Sequence, residues 1–128
     1  MEGSEKRTRL ITTVITRIPL SPGQVSLFKA LVEADDRWIS ISELEYRIHE
    51  SVGGVLGALG NRINQTKGIS PPFDGTGLVM TWETFHGEWH YRIRPELNEV
   101  INRFPVLQNA MELPVDEIHK KYAGGLQL

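Results

Sequence analysis

The stretch LVMTWETFHGEWHYRIR, residues 78–94, contains two runs of β-forming residues separated by His86 and Gly87. A two-residue turn at this point places Trp82 opposite Tyr91, so that the large apolar side chains share one face of a hairpin. A three-residue loop would place Trp82 opposite Arg92 instead. Because Gly87 accepts the positive φ of a type I′ turn, we predict a tight antiparallel hairpin.

Two helices and a short strand are predicted ahead of this hairpin. Ser21 is an N-cap candidate, Pro22 suits the first helical position, and Gln24 completes a capping box. Ser40 and Glu43 have the spacing of a second capping box, after an extended piece at residues 38–39. The predicted core residues of these two helices are Val25, Phe28, Leu31, Val32, Leu44 and Ile48.

The next predicted helix, which contains GGVLGALGNRINQT at residues 53–66, is rich in glycine. Each glycine in a helix interior costs about 0.5 to 1 kcal/mol relative to alanine, so four of them need a reason. At about 100° per residue the apolar side chains form one stripe, and the glycines fall on the opposite side. The stripe is Val52, Val55, Leu56, Leu59 and Ile63, and the opposite face is Gly53, Gly54, Gly57, Gly60, Asn61, Asn64 and Gln65.

Three interpretations of this bare outer face stay open. It lies against a nucleic-acid groove, where asparagine and glutamine read adenine; it packs closely against another helix; or the helix is a poor one, stabilised by its core side alone. We expect the face to point outward, so that a residue such as Gly57 is open to a partner.

The two ends of the chain are predicted to lie outside the central domain. Residues 10–20, LITTVITRIPL, are rich in β-branched residues and predict a strand or extended arm, which makes residues 1–19 a basic N-terminal arm. Residues 20–104 form the domain, including a loop at 66–77 and a helix after Pro95. Residues 105–128 form a helical tail, with a helix after Pro114. The apolar stripes after Pro95 and Pro114 suggest a homodimer through the C-terminal helices, unless they simply pack back on the domain.

Composition limits the classes of function. The 128 residues carry a net charge of −2, so any nucleic-acid binding must rest on local charge. There is no cysteine, and no apolar run approaches the roughly 18 to 20 residues of a membrane span. We expect a soluble cytoplasmic protein with no membrane partner.

The order of elements resembles that of the winged helix-turn-helix superfamily. The residues that carry this resemblance are SPGQVSLFKALVE at 21–33, WISISELEYRI at 38–48, SVGGVLGALGNRINQT at 51–66 and the hairpin. The resemblance implies an α+β fold, with a three-helix core and a β-hairpin wing, to which the N-terminal arm and C-terminal helical extension are added. It also implies binding of double-stranded DNA by the third helix and the wing, typical of a transcriptional regulator.

Carried over residue by residue, the resemblance assigns DNA contacts as follows. Asn61, Asn64 and Gln65 would contact bases beside Gly57, and Arg62 and Lys67 would lie near phosphate. Arg92 and Arg94 on the hairpin would bind phosphate. The arm residues Lys6, Arg7 and Arg9 would follow the minor groove or the phosphates.

Two features depart from the superfamily's usual pattern. Residues 52–94 include four basic and three acidic residues, and this surplus of positive charge is weaker than DNA-binding proteins usually have. The hairpin tip also carries Glu88 where a cation would be expected. Both features are compatible with an alternative, a winged-helix module that binds another protein. Such a module could belong to a larger nucleic-acid-processing or defence complex.

Catalytic and cofactor sites are not predicted. The chain has neither a cysteine nucleophile nor a Gly-x-Ser-x-Gly elbow, and phosphate-binding loops are absent. HGEWH at 86–90 has the spacing of metal ligands, but a cross-strand pair of Glu83 and His90 explains it more simply. The tryptophans Trp38, Trp82 and Trp89 are expected in the core. We therefore predict neither an enzyme nor a cofactor.

Overall fold

The computed structural model describes residues 2–128, which form a mixed fold of seven α-helices and a three-stranded antiparallel sheet. A short 3₁₀ helix, Thr76–Leu78, precedes the second strand. The helices are α1 (Glu2–Arg17), α2 (Pro22–Ala34), α3 (Ile41–Ile48), α4 (Val52–Asn64), α5 (Pro95–Ile101), α6 (Pro105–Met111) and α7 (Val115–Lys121). The strands are β1 (Ile39–Ser40), β2 (Met80–Phe85) and β3 (Glu88–Ile93).

The hairpin of β2 and β3 has the predicted register. Trp82 lies opposite Tyr91, and β1 pairs with the other side of β3, which gives the sheet order β1-β3-β2. His86 and Gly87 have φ values of 53° and 75°. Positive φ at both positions is what a type I′ turn requires, so the two-residue turn is confirmed.

One of the two predicted capping boxes is complete. The Ser21 hydroxyl accepts from the backbone N–H of Gln24 at 3.1 Å, and the Gln24 side chain accepts from the Ser21 N–H at 3.1 Å. Ser40 accepts from the Glu43 N–H, but the Glu43 carboxylate binds Arg37 and Arg47 instead of closing the box. The second helix start is therefore capped on one side only.

The prediction of a strand or extended arm at the N-terminus is wrong, because residues 2–17 form the helix α1. Leu10, Ile11, Val14 and Ile15 recur at helical spacing and are buried against the rest of the chain. The Thr12 hydroxyl donates to the Thr8 carbonyl oxygen four residues earlier, and Thr16 repeats this bond to Thr12. Burial of one apolar face thus outweighs the β preference of isoleucine, valine and threonine.

The predicted arm, domain and tail share one hydrophobic core in the described part of the chain. Helix α1 packs on α5, and both α6 and α7 pack on α2, burying Leu107, Ala110 and Ile118. The backbones of Leu20 and Leu126 exchange two hydrogen bonds of 2.8 Å, which fix the C-terminal end. The division at residues 19 and 104 therefore does not separate structural units. Of the apolar stripes that suggested a homodimer, Leu97, Val100, Ile101 and Ile118 are buried within the chain, and the homodimer stays a prediction.

Candidate interaction surface

The glycine face of α4 points outward, as predicted. Gly53, Gly54 and Gly57 are exposed, while Val55 and Leu59 on the opposite side are buried. A Cβ added at Gly54 or Gly57 would meet no other part of residues 2–128 within 4 Å, apart from its own turn of helix. The backbone of α4 is therefore open to close approach by another molecule.

The amides beside this face differ in how they are used. Asn61, Asn64 and Gln65 are all exposed. The Asn64 side-chain oxygen accepts a 2.7 Å hydrogen bond from the backbone N–H of Gly75, which ties the following loop to the end of α4. That oxygen is already engaged, which weakens the prediction that Asn64 reads a base.

Two of the three tryptophans leave the core, contrary to prediction. Trp82 is 45% exposed and Trp89 is 50% exposed, whereas Met80 and Tyr91 at the inner end of the same sheet face are buried. The alternation of side chains is as predicted, but the strands extend past the last residues of the core. Burial of Trp38 is partial, and its ring contacts Phe85 on the opposite sheet face.

The exposed tryptophans adjoin the glycine face of α4. Leu56, Thr76, Trp82, Trp89 and Tyr91 line an open cavity of about 180 Å³ between the helix and the hairpin. A Cβ at Gly60 would lie 3.8 Å from the Thr76 methyl group, which closes the edge of the face towards the hairpin. The glycine–tryptophan surface, as we call it, consists of Gly53, Gly54, Leu56, Gly57, Trp82 and Trp89. None of these residues carries a charge.

Arg62, predicted to lie near phosphate, is a structural residue. Its side chain is buried, and its guanidinium donates to the carbonyl oxygens of Ile18 at 2.8 Å, Val14 at 3.3 Å and Pro19. Burial and the nearby Arg17 lower the pKa of Arg62, although a guanidinium stays protonated at neutral pH. Arg62 therefore caps the C-terminal end of α1, and the prediction of a phosphate contact is wrong.

Arg7 and Arg94, predicted as phosphate ligands from the arm and the hairpin, meet at one backbone carbonyl. Arg94 Nε donates to the Gly77 oxygen at 2.6 Å, and Arg7 donates to the same oxygen at 3.0 Å and to that of Leu78 at 3.2 Å. Burial, followed by the charge of Arg94, lowers the pKa of Arg7. These two side chains fix the turn that leads into β2, and their predicted roles on DNA stay predictions.

The other predicted cations differ in their contacts. Arg92 stacks over the Trp38 ring at 4.4 Å, and Lys6 lies 5.1 Å from the centre of the Phe73 ring. Arg9 on α1 and Lys67 after α4 are exposed. Lys6 shares the Phe73 ring with Arg7, whose guanidinium lies 5.0 Å from the ring centre, so these two cations are neighbours.

The hairpin histidines do not form a metal site in the described residues. Glu83 lies opposite His90, as predicted, while the His90 Nδ1 lies 3.0 Å from the Glu88 carbonyl oxygen. Within residues 2–128 no three histidine or acidic side chains are placed to hold a metal ion. None of the helices in the same range has the length and apolar character needed to span a membrane.

Comparison of the chain with protein-family models, curated proteins and solved structures found no match. The geometry of the glycine–tryptophan surface is therefore the main guide to function. The sequence predicted the outward glycine face correctly but not the exposure of Trp82 and Trp89. The length of the hairpin could have indicated this exposure. The strands β2 and β3 have six residues each, whereas β1, their neighbour in the sheet, has only two.

Proposed function

We propose that residues 20–104 adopt a winged-helix fold in which α2, α3 and α4 form the helical core and β2–β3 form the wing. The order α2-β1-α3-α4-β2-β3 and the sheet order β1-β3-β2 support this assignment. In this arrangement α4 occupies the position of the third helix, and α1, α6 and α7 brace the domain from outside.

We further propose that the chain is a protein-interaction module that binds its partner through the glycine–tryptophan surface. The observation that carries this proposal is the pair of half-exposed tryptophans beside an uncharged, bare helix face. Exposed aromatic side chains around a small pocket are typical anchors of protein interfaces. Apolar surface of this kind is costly to leave in water unless a partner covers it.

The partner that fits is an apolar helix of another protein. Glycines at positions 53, 54 and 57 let a second helix approach the α4 backbone more closely than larger side chains would. One apolar side chain of that helix would enter the cavity beside Leu56, Trp82 and Trp89. The uncharged character of the face favours such a partner over a polyanion.

DNA binding is supported less well. Arg62 is buried, Arg7 and Arg94 each bond a backbone carbonyl oxygen, and the net charge of the chain is −2. Phosphate contacts supply most of the non-specific affinity of DNA-binding proteins, so the burial of Arg62 lowers the DNA affinity that we expect. The sequence-based assignment of Asn61, Gln65, Lys67 and Arg9 to DNA stays a prediction and is an outcome of the experiment below.

The proposal is tested by affinity capture with the tagged full chain from cells of its own source, compared by quantitative mass spectrometry. Gly57→Leu fills the bare face and Trp89→Ser removes one aromatic anchor. We expect both variants to lose the same protein at least about tenfold, the effect of removing one interface anchor. Far-UV circular dichroism confirms that both variants fold.

Two matched controls change the same residue types elsewhere. Gly3→Leu adds a side chain to an exposed glycine of α1, and Tyr46→Ser removes the aromatic ring of a residue that is 83% exposed on α3. Both controls should keep the partner. Equal loss of the partner protein in all four variants would contradict the proposal. Loss of the captured protein from wild type after nuclease treatment would contradict it as well, because the two would then be joined through nucleic acid.

A further inference from the structure

The imidazole of His119 connects α7 to the turn between α3 and α4. Its Nε2 lies 2.8 Å from a carboxylate oxygen of Glu50, and its Nδ1 lies 2.9 Å from the Val115 carbonyl oxygen. Glu50 directly precedes Ser51, the N-cap of α4, and it packs closely against Gly23 of α2. One histidine thus joins α7 to the turn that leads into the glycine-rich helix.

Both neighbours of the imidazole accept hydrogen bonds and donate none. Only the doubly protonated ring carries an N–H on each nitrogen and satisfies both acceptors together. A neutral ring would leave one bare nitrogen facing an oxygen, either the Glu50 carboxylate or the Val115 carbonyl. The geometry therefore favours the imidazolium form.

The charges around the ring act in the same direction. Asp116 of α7 and Glu50 of the turn are the charged groups that act on His119, and Asp116 is also paired with His49 at 2.8 Å. Burial alone would lower the pKa of His119, but the bonds to Glu50 and Val115 and the two carboxylates outweigh it and raise the pKa above 6.5. The α2 residue at this contact is Gly23, which carries no charge.

We propose that protonated His119 is a latch that holds α7 against the α3–α4 turn, and that α7 loosens when this histidine loses its proton. The latch goes beyond the proposed interaction surface and does not depend on it. It makes the packing of the C-terminal segment, and the fixing of the turn before α4, sensitive to pH in the neutral range.

The test is hydrogen exchange of the α7 backbone amides at pH 6 and pH 8.5, corrected for intrinsic exchange, in the full chain. In wild type the protection factors of the α7 amides should be about two- to fivefold lower at pH 8.5 than at pH 6, the effect expected for a partly exposed charged pair. His119→Gln should show the lower protection at both pH values. A proton NMR titration of His119 should give a midpoint above that of a solvated histidine.

His49→Gln is the control, because His49 also contacts α7, through the Asp116 carboxylate, but only one of its ring nitrogens makes this contact. It should keep the pH dependence of α7, whereas Glu50→Gln should remove most of it. Glu50→Gln also serves if His119→Gln fails to fold. Equal α7 protection of wild type at the two pH values, or loss of the effect in His49→Gln, would overturn the latch.

Discussion

The guanidinium of Arg62 on α4 lies 2.8 Å from the carbonyl oxygen of Ile18, the residue that follows α1. The same side chain also bonds the carbonyl oxygens of Val14 and Pro19. The glycine-rich helix is thus anchored from its core side to the end of the N-terminal helix. A cation that would suit a DNA phosphate is used here to satisfy the last carbonyls of a helix.

Replacing Arg62 by methionine should therefore destabilise the fold rather than alter binding. The variant leaves buried carbonyl oxygens without their donor, and hydrogen bonds to a charged group each contribute about 1.5 to 3 kcal/mol. We expect the free energy of unfolding to fall by about 2 to 4 kcal/mol. Urea denaturation followed by circular dichroism measures this change.

Arg9→Met is the control for this prediction, because Arg9 is an exposed arginine of α1. Its unfolding free energy should stay within about 0.5 kcal/mol of wild type. If Arg62→Met is as stable as Arg9→Met, Arg62 does not anchor α4, and its role would have to be sought at the surface.

Gly57→Ala and Gly125→Ala should have effects of opposite sign. Gly57 has helical backbone and open space around an added Cβ, so alanine should raise the free energy of unfolding by about 0.5 to 1 kcal/mol. Gly125 has a φ of 97°, and its Cβ would lie 2.6 Å from Pro19 Cβ, so alanine should lower it by at least about 1 kcal/mol. Thermal or urea unfolding of the two variants checks both signs. Destabilisation by Gly57→Ala would mean that the glycine face is covered.

Local signals in the sequence were sufficient for the hairpin and for most helix boundaries. Trp82 and Tyr91 are placed opposite each other by a two-residue turn, which depends only on neighbouring residues. The box of Ser21 and Gln24 is equally local. The outward glycine face of α4 follows from helical periodicity. These features could be predicted because each is determined within about fifteen residues.

The features that sequence reasoning missed depend on residues far apart in the chain. The strand predicted around Val14 is a helix because α5 covers its apolar face. The bond of Arg94 to the Gly77 carbonyl oxygen joins residues that only the fold brings together, so the sequence did not predict it. Trp89 is exposed because the core ends before the tip of the hairpin. The helix α6 lies within the predicted helical tail, but its own bounds were not predicted.

Mixed-sequence duplex DNA should not form a saturable complex with the chain. At about 50 mM salt we expect no mobility shift at protein concentrations up to about 10 μM, because Arg62 is buried, Arg7 and Arg94 bond backbone carbonyls, and the net charge is −2. A saturable shift would favour the DNA-binding prediction. In that case the paired variant Arg9→Ala with Lys67→Ala should reduce the salt slope by about two, since these two cations are exposed.

The stability of the chain should decrease as the pH rises through the raised pKa of His119. The unfolded histidine titrates near 6.5 and the folded one above it, so the folded state binds the proton more tightly. The stabilisation is therefore complete below pH 6.5 and is lost as the pH rises through the folded pKa. Because the pair is partly exposed, screening limits the effect to about 0.5 kcal/mol. Urea denaturation from pH 6 to pH 9 should show this loss in wild type but not in His119→Gln, and a parallel decline in both proteins would assign it to another group.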